Sequence, residues 1–255
     1  MSSTWPDGSV RKWPACSVVM STYNRPERLR RAVECVLAQT FTDYELLVVD
    51  DGSGTAHIAL EELSEKFKGR GISLGVLSLP DNSGYQALPK NIGIAYARGA
   101  YIALADDDDE WYPWHLETLI GEIRKGDADV VYGRWDFGGQ REGETWPYVP
   151  FNHLTAELVV TTGPRTNFIS VATVFSKAAM ISALGPKVFD EELRRFGDWD
   201  VWRRAIMSGL RFRGVDRATF KYMWHGENLQ LTRPVTKSVI RPNTEGAKWD
   251  KRVAR

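Results

Sequence analysis

Four consecutive aspartates, at positions 106–109, directly follow the apolar stretch 101–105. Carboxylates crowded at the end of a buried strand repel one another unless a cation or a cation-bearing ligand lies among them. Side chains two apart on an extended segment point the same way, so Asp106 and Asp108 are expected to face one site and Asp107 to point elsewhere. The run therefore predicts a divalent metal that holds a phosphate. The alternative is a solvated acidic turn that caps the next helix.

A second acidic pair, Asp50 and Asp51, follows another apolar stretch and precedes Gly52 and Ser53. Asp and Gly suit a tight turn, which is one interpretation of this segment. The other interpretation is that a carboxylate here accepts hydrogen bonds from a nucleotide base or a ribose.

Three further side chains have the chemistry to contact a nucleotide. Tyr23 offers a ring that can stack on a base, and Arg25 and Lys90 offer positive charge to phosphates. Taken singly, each of them is more typical of a surface residue than of a site.

Short apolar runs alternate with helical periodicity in the first half of the chain, which predicts βα units and a mostly parallel sheet. Strands are expected at 17–20, 45–49, 74–79, 101–105, 129–132 and 168–175. Helices are expected at 26–39, 56–67, 87–97, 114–124 and 199–207, with Asn24 capping the first.

Polar residues stand at the carboxyl end of each of the first four strands, at 21–24, 50–53, 81–84 and 106–109. In an open α/β sheet, ligands bind in the crevice beyond those ends. We therefore expect these four clusters to converge on one site.

Composition excludes several classes of protein. The 255 residues favour one large domain, and no apolar run is long enough to cross a bilayer or to act as a secretory signal, so a cytoplasmic location is expected. Cys16 and Cys35 fall where small buried hydrophobes are expected, and neither redox chemistry nor zinc is supported. Residues 133–165 lack a clear period and are expected to form a long irregular loop.

Six segments together resemble the family-2 glycosyltransferases of the GT-A fold: 17–25, 38–41, 45–53, 90–93, 99–111 and 189–203. The resemblance is dense from about 16 to 116, returns between 189 and 213, and is absent between them. It implies an α/β fold of the GT-A type, a Rossmann-like nucleotide-binding fold with a mostly parallel central sheet flanked by helices. It also implies an inverting, metal-dependent transfer of a sugar from a nucleotide-diphosphate donor, with UDP-sugars favoured, to an acceptor hydroxyl.

The resemblance assigns roles to particular residues. Ser21 and Tyr23 match residues that meet the base, and Asp51 matches the acid that holds the base edge. Asp106 and Asp108 match the family's Asp-x-Asp, with Asp108 on Mn²⁺ or Mg²⁺, although the doubled acids leave that register open by one position. The nucleotide-sugar-binding candidates are Ser21, Tyr23, Arg25, Asp50, Asp51, Lys90, Asp106 and Asp107.

Two further residues follow from the resemblance. Asp198, in Gly197-Asp198-Trp199, matches the catalytic base, and the alternative is that it caps the helix that follows. His225 matches a histidine that in some relatives meets the metal or diphosphate, and the alternative is a structural histidine. Aromatic surfaces for a sugar acceptor are expected from Trp135, Trp146, Tyr148 and Trp199, whereas Trp202 is expected in the core.

The predicted organisation is a tail at 1–14, one domain at 15–230 and a basic tail at 231–255. Within the domain, 15–132 is expected to bind the nucleotide-sugar and 133–230 to bind an unidentified acceptor, such as a glycan. Nucleic acid is not indicated as a partner. Two other functions stay open: a sugar-phosphate nucleotidyltransferase and a non-catalytic protein that binds nucleotide-sugars or glycans.

Overall fold

The computed structural model describes residues 2–4, 10–144 and 169–225. In chain order, the strands are β1 (Ser2–Thr4), β2 (Val10–Lys12), β3 (Cys16–Thr22), β4 (Tyr44–Asp50), β5 (Ser73–Ser78), β6 (Tyr101–Asp106), β7 (Glu110–Trp111), β8 (Val130–Gly139), β9 (Thr173–Ser176) and β10 (Phe212–Trp224). The helices are α1 (Pro26–Leu37), α2 (Ala56–Gly69), α3 (Ala87–Tyr96), α4 (His115–Ile123), α5 (Lys177–Leu184) and α6 (Gly197–Met207).

Eight of these strands form one mixed sheet in the order β5-β4-β3-β6-β9-β8-β10-β7. Strands β5, β4, β3 and β6 are parallel, so their carboxyl ends lie at one edge of the sheet. The first two strands pair with each other in a separate antiparallel sheet, within the segment expected to be a tail. The mostly parallel α/β architecture expected from the sequence is confirmed.

Strands β3 and β4 are buried along their whole length. Such continuous burial follows from helices covering both faces of a parallel sheet. On one face, α1 and α2 pack over the core, with Leu29, Val33 and Leu60 among the buried side chains. On the other face, α3 lies so close to β3 that a Cβ at Gly93 would come 2.3 Å from a methyl carbon of Val19.

The second half of the sheet returns the chain to the aspartate run. Strand β9 runs antiparallel to both β6 and β8, and β10 runs parallel to β8. Strand β7, which follows the aspartates, pairs with β10 through Glu110 and Trp111, opposite Lys221 and Phe220. As a result, the end of β10 lies beside the acidic turn.

Several element predictions need correction. Helix α1 has Arg25, not Asn24, at its N-cap, and no side-chain hydrogen bond caps it among the described residues. Residues 133–139 are not part of an irregular loop, because they extend β8 and pair with β10. The strand expected at 168–175 is observed only at Thr173–Ser176. Strand β10 was not anticipated, since two register shifts break its alternation.

Two other expectations concern the cysteines and the membrane. Cys16 is buried, Cys35 is half-buried, and both are free thiols. Over the ranges that the structure describes, no helix combines the length and the apolar content needed to cross a membrane.

Candidate active site

The polar ends of three parallel strands meet in one crevice. The sheet register places Ser21 opposite Asp106 and Thr22 opposite Asp50. The backbone N–H of Asp51 donates to the carbonyl of Thr22 at 2.9 Å, which fixes the acidic turn after β4 against the end of β3. The expected convergence of these polar clusters is therefore observed.

Asp51 lies at one end of this crevice and is held by the loop after β5. Its carboxylate accepts hydrogen bonds from the backbone N–H of Ser83 at 3.0 Å, the Ser83 hydroxyl at 2.9 Å and the Asn82 amide at 3.2 Å. A carboxylate has about four acceptor positions, so about one stays open for a ligand. Neither Asn82 nor Ser83 was singled out from the sequence, although both lie in the polar cluster 81–84.

Asp50 serves the turn instead of the crevice. It is fully buried, and its carboxylate accepts from the Ser53 N–H at 2.9 Å, from the Ser53 hydroxyl at 2.6 Å and from the Ala56 N–H at 3.2 Å. These bonds shape the turn and the start of α2. The structure thus favours the turn interpretation for Asp50 over a nucleotide contact.

Gly52 lets this turn pack against the loop after β5. Its φ is +82°, and a Cβ built on it would lie 2.4 Å from the carbonyl carbon of Asp81. A side chain at position 52 would therefore push apart the two loops that hold Asp51.

Tyr23 and Ser21 differ in their access to the crevice. Tyr23 is 48% exposed, as expected for a ring available to stack on a base, whereas Ser21 is nearly buried at the end of β3.

Lys90 forms an ion pair with Asp106. Its ammonium donates to Asp106 Oδ1 at 2.8 Å and to Gln86 Oε1 at 2.7 Å, and it lies 5.6 Å from the centre of the Phe189 ring. The side chain is fully buried. Lys90 was expected to offer its charge to phosphates, but its placement makes it the counter-ion of Asp106.

Asp107 does not point away from the site. Because β6 ends at Asp106, the alternation of an extended strand stops there. Asp107 Oδ2 accepts from the Thr22 hydroxyl at 2.7 Å, and Arg25 Nη1 lies 3.3 Å from Asp107 Oδ1. Burial, with a smaller contribution from the charge of Asp108, raises the pKa of Asp107 to about 6.

Asp108 is surrounded by cationic groups. Its Oδ2 lies 3.1 Å from Arg25 Nη1 and 2.9 Å from His225 Nε2, and Arg28 Nη1 lies 3.4 Å from the same His225 nitrogen. Burial pushes the pKa of Asp108 upward, but the hydrogen bond from His225 and the charges of Arg25 and Arg28 outweigh it and lower the pKa. Asp108 and His225, the two predicted metal ligands, are therefore in contact.

Asp109 faces inward. Its Oδ1 accepts from the Met223 backbone N–H at 3.2 Å. Burial, reinforced by the charges of Asp108 and Asp106, raises its pKa well above the usual range. The Asp-x-Asp that faces the crevice is thus Asp106 with Asp108, which favours that register over the one shifted by a position.

The repulsion among the four aspartates is relieved by the protein itself. Lys90, Arg25, His225 and the Met223 N–H each contact one or more of them. The structure therefore does not require a bound cation among the carboxylates, although the sequence had suggested one. Whether a metal binds here depends instead on whether the side chains present suit one.

The ligand set suits a hard divalent cation that arrives with a phosphate. Within the described parts of the chain, no three His, Cys, Asp or Glu side chains form a group that could hold a metal ion alone. Asp108 and His225 offer one carboxylate and one imidazole. Mg²⁺ is commonly held by one or two carboxylates, with substrate phosphates and waters completing its shell. The residues present fit such an ion.

Asp198 lies in the first turn of α6 and is half-buried. Burial raises the pKa of Asp198, and the charge of Asp106 raises it further. The Trp199 N–H and the charge of Lys90 lower the pKa in part. Asp198 is therefore within electrostatic range of Lys90 and Asp106. A carboxylate with a raised pKa is suited to accept a proton near neutrality.

The capping alternative for Asp198 is only partly supported. The N-cap residue of α6 is Phe196, which adopts the left-handed conformation at φ 57°. The backbone N–H of Trp199 does act on the Asp198 carboxylate. Asp200, two residues on, is engaged in an ion pair with Arg204 at 2.7 Å, within the helix.

Asn91 connects the two halves of the site and was not predicted to do so. Its amide donates to the Phe189 carbonyl at 2.8 Å, and its side-chain oxygen accepts from the Phe189 N–H at 2.8 Å. Asn91 follows Lys90 on α3, so one helix positions both Asp106 and the segment that leads into Asp198. The sequence signal that could have identified Asn91 was its place in segment 90–93, which carries part of the family resemblance.

The aromatic residues expected to form a sugar platform have other environments. Trp199 is buried, so it does not offer a face to an acceptor, and Trp202 lies in the core as predicted. Trp135 is half-buried, with its ring centre 6.0 Å from that of Phe220. Trp146 and Tyr148 lie outside the described residues.

A small cavity of ≈ 150 Å³ adjoins the acidic turn on the side of α1. Its walls include Arg28 and Arg31 from α1, Asp108, and Trp224 and His225 from the end of β10. Asp108 and His225 therefore stand between this cavity and the crevice.

The chain matches known proteins in sequence. A sequence model described as "Glycosyl transferase family 2" matches residues 17–183. Glycosyltransferase GlyG of Streptococcus pneumoniae is 35% identical over 133 residues, which cover 52% of this chain and 43% of GlyG. The chain spans about two fifths of the length of the curated relatives it matches first.

Solved structures share the fold. S. aureus TarS 1-349 in complex with UDP-GlcNAc superposes with a TM-score of 0.68 at 22% identity, covering 86% of this chain and 61% of that one. The mannosyltransferase PcManGT from Pyrobaculum calidifontis, in complex with GDP-Man and Mn2+, has a TM-score of 0.60 at 15% identity, covering 83% and 57%. These neighbours have the GT-A fold. Since the family model matches well over half of its residues, the chain belongs to the family-2 glycosyltransferases.

Proposed function

We propose that this protein is an inverting, metal-dependent glycosyltransferase that moves a sugar from a nucleotide-diphosphate donor to an acceptor hydroxyl. The observation that carries the proposal is the meeting of Asp51, Asp106, Asp108 and Asp198 around one crevice. Family membership supports sugar transfer as the reaction class.

The donor is a nucleotide-sugar, with UDP-sugars favoured. The exposed Tyr23 ring and the open acceptor position of Asp51 support the binding of a base. The neighbour TarS was solved in complex with UDP and with UDP-GlcNAc. PcManGT, which has the same fold, was solved with GDP-Man, so GDP-sugars are the first comparison for any binding test.

Asp108 and His225 would hold Mn²⁺ or Mg²⁺. When bound, such an ion supplies a Lewis acid that stabilises the negative charge of the departing diphosphate. Asp106, which is paired with Lys90, would contact the donor.

Asp198 takes the proton from the acceptor hydroxyl. An alcohol is a poor nucleophile near neutrality, and a carboxylate within hydrogen-bond reach accepts its proton as the oxygen attacks the anomeric carbon. Attack on the face opposite the diphosphate inverts the configuration of that carbon. The acceptor is expected to contact the half of the domain at 133–230, and the cytoplasmic location stays a prediction.

Substitution of Asp198 tests this assignment without knowledge of the acceptor. We expect Asp198→Asn to bind UDP-sugars with an unchanged Kd and to lose about 10²- to 10⁴-fold in donor turnover, because only proton transfer is removed. Calorimetry with Mn²⁺ would measure binding, and UDP release in the presence of water or a glycan mixture would measure turnover.

Asp200→Asn is the matched control, since it removes a carboxylate from the same helix turn. That residue is ion-paired with Arg204, and turnover is expected to be nearly unaffected. Normal turnover in Asp198→Asn would exclude Asp198 as the base. Absence of binding to any nucleotide-sugar by the folded wild-type protein would refute the proposed function itself.

A further inference from the structure

We infer that Arg25 is an internal counter-ion that occupies the metal's place on Asp108, and that Mn²⁺ and the nucleotide displace it together. This inference rests on the proposed function and deepens it, because it assigns a coupling role to a residue that the resemblance places only among the donor contacts. The coupling is between two ligands of the same crevice.

The contacts of a single oxygen atom carry the first step. Asp108 Oδ2 receives both Arg25 Nη1, at 3.1 Å, and His225 Nε2, at 2.9 Å. A divalent cation held by Asp108 and His225 would draw on this same carboxylate and imidazole. The guanidinium of Arg25 therefore competes for the carboxylate that the metal would use, and it binds Asp107 at 3.3 Å as well.

The backbone before α1 has an irregular conformation where Arg25 contacts Asp107 and Asp108. Among the described non-glycine residues, only Asn24 and Phe196 have positive φ, and they precede Arg25 and Asp198 by one and two residues. Asn24 has φ 52°, in the left-handed region that asparagine adopts more readily than most residues with a side chain. Pro26 disfavours the helical conformation in the residue before it, and Arg25 accordingly has φ −135° and ψ 55°.

Arg25 also has a route away from the acids. Its side chain is 32% exposed, whereas that of Lys90, the other crevice cation, is fully buried. A guanidinium makes strong paired hydrogen bonds with phosphate oxygens as well as with carboxylates. When a diphosphate enters the crevice, Arg25 can exchange Asp107 and Asp108 for phosphate oxygens without leaving the site.

The exchange makes binding cooperative. Without a nucleotide, Mn²⁺ must displace Arg25 from Asp108 and leave it with Asp107 alone, so the ion binds weakly. With a nucleoside diphosphate present, Arg25 gains a new partner and Asp108 becomes available. By linkage, the nucleotide must then also bind more tightly when Mn²⁺ is present.

Mn²⁺ binding measured by electron paramagnetic resonance, with and without UDP, tests this inference independently of activity. For the wild-type protein we expect saturating UDP to tighten Mn²⁺ binding by about tenfold, a common magnitude for coupled sites. For Arg25→Gln we expect Mn²⁺ alone to bind about fivefold more tightly and the effect of UDP to fall below about twofold, because the competitor is gone.

Arg30→Gln is the control for net charge, since Arg30 lies on the same helix and pairs with Glu34 and Glu62 instead of the crevice acids. It is expected to behave like the wild type. Arg25→Lys, which keeps the charge at this position, is expected to keep weak binding of Mn²⁺ alone and provides a second variant if Arg25→Gln is unstable by circular dichroism.

The outcomes separate the two proposals. If Arg25→Gln binds Mn²⁺ no more tightly than the wild type and keeps the full effect of UDP, the exchange is wrong while the metal-dependent function stands. An increase in affinity shared by Arg30→Gln, with the UDP effect intact, would also overturn the exchange, because net charge would explain it. If the wild type binds UDP but no Mn²⁺ under any condition, the metal-dependent function fails and the exchange fails with it.

Discussion

The four consecutive aspartates are identical in the sequence, yet their environments in the structure differ. Asp106 rests on a buried lysine, Asp107 is held by a threonine hydroxyl, Asp108 faces Arg25 and His225, and Asp109 turns into the core. Their pKa values are accordingly shifted in opposite directions, raised at Asp107 and Asp109 and lowered at Asp108. A motif of like residues therefore separates into one candidate metal ligand and three carboxylates with other partners.

Some of these contacts were not predictable from the sequence. The hydrogen bond between Thr22 and Asp107 joins residues that are 85 positions apart. Nothing in the sequence around Thr22 indicates this contact. The pairing of Asp108 with His225 was predicted only through the family resemblance, because 117 residues separate the two. The position of Asp51 at the crevice, by contrast, follows from where parallel strands place their carboxyl ends.

His115 gives a prediction about acid stability. Its ring is fully buried and stacks on Trp111 at 4.0 Å, and burial, opposed in part by the Thr219 backbone, lowers its pKa to about 3. The unfolded chain binds a proton at this residue below about pH 6.5, whereas the folded protein does not until about pH 3. Stability is therefore lost as the pH falls through this window, by up to about 1.4 kcal/mol per pH unit.

Urea unfolding from pH 7 to pH 4.5 of the wild type and of His115→Phe checks this prediction. Phenylalanine keeps a flat ring against Trp111 and cannot take up the proton, so its stability should fall less steeply with acid than that of the wild type. Other titrating groups are common to both proteins and cancel in the difference. Identical slopes would show that His115 titrates normally in the folded state.

At the scale of elements, the turns between strands and helices hold the site together. The parallel strands were predictable because burial on both faces requires continuous apolar runs, as in β3 and β4. Strand β10 was not, because register shifts between Val215 and Phe220 interrupt its alternation. Local periodicity thus identifies regular elements and misses those whose order is imposed by a neighbouring strand.

Two glycines in one turn make a matched pair for a test at this scale. Gly52 and Gly54 both have positive φ, 82° and 70°, but only Gly52 would bring a Cβ into contact with a neighbour, at 2.4 Å from Asp81. We expect Gly54→Ala to lose about 1 kcal/mol of unfolding free energy from its conformation alone. Gly52→Ala should lose about 1–3 kcal/mol more, because overpacking is added.

Gly52→Ala should also weaken UDP binding, since the displaced loop carries the Ser83 contacts to Asp51. Chemical unfolding and UDP calorimetry on both variants measure the two effects. Equal losses for the two glycines would mean that the loop after β5 moves aside at no cost.

At the scale of the whole molecule, two halves of the sheet meet around the acidic turn. The parallel half, ending in β6, supplies Asp51 and the aspartate run, while α6 and β10 of the other half supply Asp198 and His225. The first half was predictable element by element, whereas the path of β10 back to β7 became visible only in three dimensions. Candidate residues were thus easier to name than the contacts that assemble them.

Asn91 is the residue whose removal should uncouple the halves. Asn91→Ala loses both hydrogen bonds to the Phe189 backbone, at 2.8 Å each, and should lower the unfolding free energy by about 1–3 kcal/mol. Since Asp198 follows the released segment, donor turnover should fall while the Kd for UDP stays near its wild-type value. Urea unfolding, a turnover assay and UDP calorimetry measure the three quantities.

Glu191→Gln is the control for this variant. It alters the third contact of the Asn91 amide, at 3.0 Å, but leaves both bonds to Phe189 in place. Its stability and turnover should be close to those of the wild type. A loss of UDP binding in Asn91→Ala equal to its loss of turnover would indicate general distortion of the crevice instead of misplacement of Asp198.

The unequal exposure of Arg25 and Lys90 means that ionic strength acts more strongly on the ion pair of Arg25 than on that of Lys90. Mobile ions in solution can screen Arg25, which is 32% exposed, but have no access to Lys90, which is sealed from water. Added salt should therefore loosen the guanidinium from Asp108 while the ammonium keeps Asp106 in place. The protein thus carries one electrostatic contact that dissolved salt can weaken beside another that it affects less.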